Sequence, residues 1–123
     1  MIEDVSEISG SQLPGEAQRM LGRHYRFVTA TCVDLGNDDL EVLYHFDREL
    51  ALSHFRLRIK RGEELPSISR IYPCSVLVEN EMKELFGLNV IDMTTDYGGH
   101  MLLAPEALKH PMSKVTVERK GEQ

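Results

Sequence analysis

The sequence has little of what redox centres, metals or nucleotides require. Only two cysteines, Cys32 and Cys74, occur in 123 residues. They are far apart and form no CxxC pair, so the spacing that thiolate metal sites use is absent. They read as two reduced, buried, small hydrophobic side chains. Of the five histidines, His24, His45, His54, His100 and His110, none stands four residues from another, and no HExxH pattern occurs. No metal site is expected. Gly98-Gly99 fits neither GxGxxG nor the GxxxxGK(S/T) phosphate loop, and there is no GxSxG nucleophile elbow. Apolar runs are short. Met101–Ala104 is far below the roughly 18–20 residues that a membrane helix needs. Met1–Gly10 carries Glu3, Asp4 and Glu7 and no apolar h-region, so no signal peptide is expected and a cytoplasmic location is. Positive charge is also scarce. There are 14 Lys+Arg against 20 Asp+Glu, a net charge of −6, which disfavours nucleic acid and anionic membrane as partners.

What is present is a globular composition. Apolar residues make up 41% and charged residues 28%, enough for one domain to bury a core without a disulfide or metal. There is no internal repeat and no low-complexity segment. Residues 1–13 are polar and weakly patterned, and are expected as a loose tail. Residues 14–119 form a single expected domain, and 120–123 a frayed end.

Pro14-Gly15-Glu16 opens a short helix that Gly22 can stop, with Ala17, Met20 and Leu21 as its apolar stripe. The period then changes to two. In His24–Asp34, Tyr25, Phe27, Thr29, Thr31 and Val33 share one face, and Arg26, Val28, Ala30 and Cys32 the other. Gly36-Asn37-Asp38-Asp39 is a turn signal, and Leu40, Val42, Tyr44 and Phe46 continue the alternation as the second arm of a hairpin. Phe55, Leu57 and Ile59 alternate with His54, Arg56, Arg58 and Lys60, predicting a strand with one buried and one cationic face. Ser67 suits a cap for a turn holding Ile68 and Ile71. Ser75–Phe86 predicts a helix with Val78, Met82 and Leu85 inward, Leu77 and Phe86 flanking, and a Glu79–Lys83 pair. Gly87 fits its left-handed end. Beyond it the pattern weakens: Asp92–His100 reads as a polar loop, Met101–Leu103 and Val115–Val117 as short strands, Pro105–Lys109 as a helical turn. The fold class is α+β, two layers, with a mostly antiparallel or mixed sheet and two main helices packed on one face.

Two charged features bear on function. Glu79, Glu81 and Glu84 crowd one helix, as solvated-face carboxylates do. Glu81 lies at the edge of the apolar stripe and needs a partner: Arg70, Arg56 or a group on another protein. Arg56, Arg58, Lys60 and Arg61 form the one basic patch, either the wet face of a strand or a contact surface for an acidic partner. Acidic helix and basic strand together suggest a two-sided pattern suited to docking.

The stretch Pro66–Leu88, PSISRIYPCSVLVENEMKELFGL, resembles the signature of the 30-kDa subunit family of respiratory complex I (NADH:quinone oxidoreductase), which includes small subunits of energy-converting nickel–iron hydrogenases. The matching positions are Pro66-Ser67-Ile68, Tyr72-Pro73, Glu79, Glu81, Glu84, Leu85-Phe86 and Gly87. His110-Pro111-Met112-Ser113-Lys114 is similar to the family's closing HP-x-R-K element. Asn80 stands where the family usually has Arg, Leu77 where an aromatic is usual, and Ser113 where Arg is usual. An Arg-rich segment is replaced by Asp92–Met101. The short chain is more similar to the hydrogenase-type subunits.

The resemblance implies an accessory structural subunit, not catalytic alone, in a membrane-associated NADH:quinone oxidoreductase or energy-converting hydrogenase. Such subunits bind no redox cofactor. Iron–sulfur clusters, and nickel–iron or NADH/FMN, belong to other subunits of the complex. The implied partners are the hydrogenase-like large catalytic subunit and other peripheral-arm subunits, with no direct membrane span and a location at the cytoplasmic face of the membrane. The implied interface is Glu79, Glu81, Glu84, Phe86, Gly87, His110, Pro111 and Lys114. Two other readings are a free-standing small-molecule or regulatory binding domain, with a pocket near Tyr44, His45 and His54, and a metal-dependent enzyme using the histidines.

Overall fold

Ile2–Glu7, which the sequence predicts as part of a loose tail, form strand β1 in the computed structural model, which describes residues 2–97. Acidic, weakly patterned residues suit a sheet edge, where the backbone pairs while side chains stay wet. A single 3-10 turn at Gly10–Gln12 leads into helix α1 (Leu13–Gly22), which has Pro14 in its first turn and buries Leu13, Ala17 and Met20. Strands β2 (Arg26–Gly36), β3 (Asp39–Arg48) and β4 (Ala51–Lys60) follow. The sheet order is β1-β4-β3-β2. β2, β3 and β4 are antiparallel neighbours, and β1 lies parallel to β4. The expected mixed sheet is therefore present.

Both hairpin turns have two residues. Asn37 and Asp38 adopt φ of 56° and 64°, the paired left-handed geometry that matches the twist of the flanking strands. The second turn, Glu49-Leu50, places Glu49 at φ 57°.

The β-period separates the two faces. Leu40, Val42, Tyr44 and Phe46 of β3 and Phe55, Leu57 and Ile59 of β4 are buried, as the alternation predicts. β2 departs from it. Its register slips between Phe27 and Thr29, so Val28 is the extra residue of a bulge. Phe27 therefore packs inward, edge-to-face on Phe46 with centroids 5.7 Å apart, on the same side as Ala30 and Cys32. Thr31 and Val33 face outward. Strict alternation wrongly groups Phe27 with Thr31 and Val33. Burial raises the Cys32 thiol to about 12, with Asp34 adding to the effect. Cys74, expected buried, is exposed.

Two three-residue strands missed by the sequence reading, β5 (Glu64–Pro66) and β6 (Asn89–Ile91), pair in parallel. They flank helix α2 (Ser75–Phe86), whose bounds are those predicted. Gly87 ends it at φ 76°, a left-handed value glycine takes without strain. Both helices and the inner sheet face join in one core cluster. The expected features beyond residue 97, including Met101–Leu103, Pro105–Lys109, Val115–Val117 and the frayed end, lie outside the described residues.

The expected cationic face of β4 is neutralised within the sheet. Arg56 pairs with Glu7 of β1 and Glu41 of β3, Arg58 with Glu41, and Lys60 with Asp39 at 2.8 Å. Arg61 turns to bind buried Asp34 at 2.8 Å, Asp38 at 3.3 Å and the carbonyl of Phe86. It thereby links the first hairpin to the end of α2. Arg61→Met should destabilise the protein by about 2 kcal/mol, because it strips Asp34 of this charge partner. Arg61→Lys should recover only part of that, lacking the guanidinium fork. Urea unfolding would measure both.

Candidate functional site

Helix α2 buries an unusual face. Its fully or nearly fully buried residues are Ser75, Glu79, Asn80, Met82 and Glu84, whereas Leu77 is 57% exposed. Glu79 and Glu84, expected among solvated carboxylates and at a partner interface, thus lie inside the chain itself. Of the predicted inward stripe, Met82 is buried, Val78 packs half-buried against the core and Leu85 is half-buried, as is the flanking Phe86.

Glu79 is the hub. Its Oε2 accepts the Tyr44 hydroxyl at 2.7 Å and the Ile68 N–H at 3.0 Å. Its Oε1 accepts the Ser67 hydroxyl at 2.5 Å and that of Ser75 at 3.4 Å. Ser67 Oγ in turn accepts the Ser69 N–H at 2.9 Å and lies 2.8 Å from Ser69 Oγ, which accepts the Thr94 N–H at 3.0 Å. One carboxylate therefore joins β3, the segment after β5, helix α2 and the segment after β6. Burial raises the Glu79 carboxyl above its ordinary 4.5, opposed by these donors. Burial, and then the Glu79 charge, hold the Tyr44 phenol well above its ordinary value, so it stays a donor. The predicted Glu79–Lys83 pair is not formed. Lys83 binds Asp96 at 2.7 Å.

Asn80, where the resembled family has Arg, works beside it. Its Nδ2 donates to the carbonyls of Val76 and Thr95, both at 2.8 Å, and its Oδ1 accepts the Tyr97 N–H at 2.9 Å. These bonds bind Thr95 and Tyr97 to the helix. The sequence marks Asn80 as a departure but shows nothing of this anchoring role.

Above this network, α2 and the bulged part of β2 enclose an open groove of about 460 Å³, lined by Phe27, Val28, Thr29, Cys74, Leu77, Val78 and Glu81. Val28 and Leu77 are 50% and 57% exposed there. Glu81 is exposed and makes no hydrogen bond or ion pair among the described residues. The suggested partner Arg56 is engaged by Glu7 and Glu41 instead. Phe86 and Gly87 sit half-buried at the end of the same helix. His110, Pro111 and Lys114 lie outside the described residues.

Tyr44 does not line a pocket with His45 and His54. It points into the core, while the two histidines meet on the outer sheet face. Among the described residues, no group of three or more His, Cys, Asp or Glu side chains is placed to hold a metal ion.

Residues 11–121 match the family described as respiratory-chain NADH dehydrogenase, 30 Kd subunit. No curated protein matches the sequence. Among solved structures, the fold is similar to a chain in the structure of the membrane-bound sulfane sulfur reductase, an archaeal respiratory membrane complex. The TM-score is 0.73 at 19% identity, covering 86% of this chain and 67% of that one.

Glu79→Ala should lower stability by about 3 kcal/mol, since it leaves the Tyr44 hydroxyl and Ile68 N–H buried without their acceptor. Glu79→Gln should cost less and should change the pH dependence. A carboxyl raised in the folded state stabilises below about pH 4.5 and loses that contribution as pH rises through its folded value. The Gln variant does not titrate there, so its deficit against wild type should shrink with rising pH. Denaturant unfolding at a series of pH values would read this.

Proposed function

We propose that this chain, which belongs to the respiratory-chain NADH dehydrogenase 30 Kd subunit family, is an accessory subunit of a membrane-associated oxidoreductase of the NADH:quinone oxidoreductase or energy-converting hydrogenase type. In this reading it is not catalytic alone. It supports electron transfer by docking to the hydrogenase-like large subunit and neighbouring peripheral-arm subunits. The iron–sulfur clusters, and nickel–iron or NADH/FMN, sit on those other subunits. It is held at the cytoplasmic face of the membrane through the complex. No helix among the described residues is long and apolar enough to cross a membrane.

The observation that carries the docking site is the α2–β2 groove. It combines exposed apolar side chains, Val28 and Leu77, with the exposed carboxylate of Glu81, which has no hydrogen bond or ion pair among the described residues. An apolar floor with one charge at its rim suits a partner segment that brings an apolar anchor and an arginine or lysine. Glu81 belongs to the stretch that carries the family resemblance, and it is the one of the three helix glutamates that faces solvent. Phe86, Gly87 and the His110, Pro111 and Lys114 element extend the proposed contact along the chain. Glu79 supports it from beneath, by holding the helix in place, and Glu84 lies buried in the same helix.

Glu81→Arg should weaken binding to the co-expressed large subunit about tenfold or more and leave the thermal unfolding midpoint of the isolated chain unchanged. Leu77→Asp should do the same. Undiminished co-purification of both variants in size-exclusion chromatography would refute this surface.

A further inference from the structure

The outer face of the sheet carries a histidine pair that the docking reading does not use. One transverse row runs Val5, His54, His45, Thr29 across β1, β4, β3 and β2. The charged groups around it are paired with one another. Arg26 of β2 holds Asp47 of β3 at 2.7 Å, and Arg56 of β4 lies between Glu7 of β1 and Glu41 of β3. Within this charge-matched surface the two histidines face each other. Their Nδ1 atoms are 2.8 Å apart, and their rings stand edge to face at 76° with centroids 4.9 Å apart. Both are half-buried, so water and small ions reach them.

Two ring nitrogens at this distance share one proton, since one must donate and the other accept. The same spacing suits two ligands of one metal ion. With metal–nitrogen bonds of about 2.0–2.1 Å, adjacent ligands lie about 2.9 Å apart at a right angle and about 3.3 Å apart at the tetrahedral angle. A cation could enter between the rings with only a small rotation of each. His45 also has the outer support that metal-binding histidines use. Its Nε2 lies 3.3 Å from Thr31 Oγ1. When Nε2–H donates to that hydroxyl, the lone pair is on Nδ1, aimed at His54. Imidazole nitrogen suits borderline transition cations, whereas magnesium and calcium prefer oxygen ligands.

We propose that His45 and His54 form a two-histidine site for a borderline divalent transition cation such as Zn2+, Ni2+ or Cu2+, with water completing the coordination. The cation takes the place of the shared proton, which moves through solvent to the Nε2 of the same ring. His45 and His54 are the ligands, and Thr31 is a positioning residue acting through His45. The site is independent of Glu81 and its groove, so it stands or falls separately from the docking reading.

The test uses the full, untagged chain and Zn2+ alone. Calorimetric titration should show one ion bound per chain. In nitrogen-15 spectra of the wild-type protein, the Nδ1 signals of His45 and His54 should shift on Zn2+ addition while those of His24 stay in place. His45→Gln and His54→Gln should each abolish the one-to-one binding, and Thr31→Val should weaken it about tenfold. The wild-type spectra decide the matter even if a variant fails to fold. Absence of one-to-one binding, Nδ1 shifts confined to other histidines, or undiminished binding in both glutamine variants would overturn the proposal.

Discussion

A carboxylate removed from water beneath a helix needs its lone pairs filled, and in this protein the filling builds the architecture. Glu79 collects a phenol from β3, a backbone N–H and a hydroxyl from the segment after β5, and a weaker hydroxyl from its own helix. No apolar residue could make these demands. A leucine there would be content in several orientations, whereas the carboxylate is satisfied only when Tyr44, Ser67 and Ile68 converge on it. These bonds tie α2 to β3 and to the segment that follows β5. The groove above them takes its shape from a helix that cannot roll without breaking these bonds.

The parts of the fold with a clean period were legible in sequence. β3 and β4 alternate without interruption, and their buried sets are the expected ones. The bounds of α2 could be read from Ser75 to the glycine that ends it, and the two-residue turn at Asn37-Asp38 announces itself. What stayed hidden has specific causes. The bulge at Val28 changes the phase of β2 without any glycine to mark it. β5 and β6, at three residues each, are too short for any period to show. β1 hides because an acidic edge strand has the composition of a tail.

The candidate site was legible only in part. Hydropathy ranks Glu79 and Glu84 as surface residues and Leu77 as a core residue, and the structure reverses all three. The missing signal is tertiary: Tyr44 lies 35 positions before Glu79, and no local pattern links them. The charge asymmetry suffered likewise. The basic row at Arg56–Lys60 looks free in sequence because its acidic partners lie on the neighbouring strands β1 and β3. Once those pairs form, the exposed Glu81 carboxylate stands out from a largely self-neutralised background.

The two-residue turn at Glu49-Leu50 has a consequence for how β3 and β4 find their alignment. The outward residues of β3 are acidic or neutral and those of β4 are basic or neutral. Sliding one strand by two residues would set Glu41 against Arg56 or Lys60 in place of Arg58, still opposite charges. Electrostatics thus chooses the neighbour but not the phase. Phase falls to the turn, where the left-handed Glu49 leaves no slack for an extra pair of residues. A charged side chain in a backbone region that favours glycine acts here as the molecule's vernier, setting ten cross-strand pairs from one end.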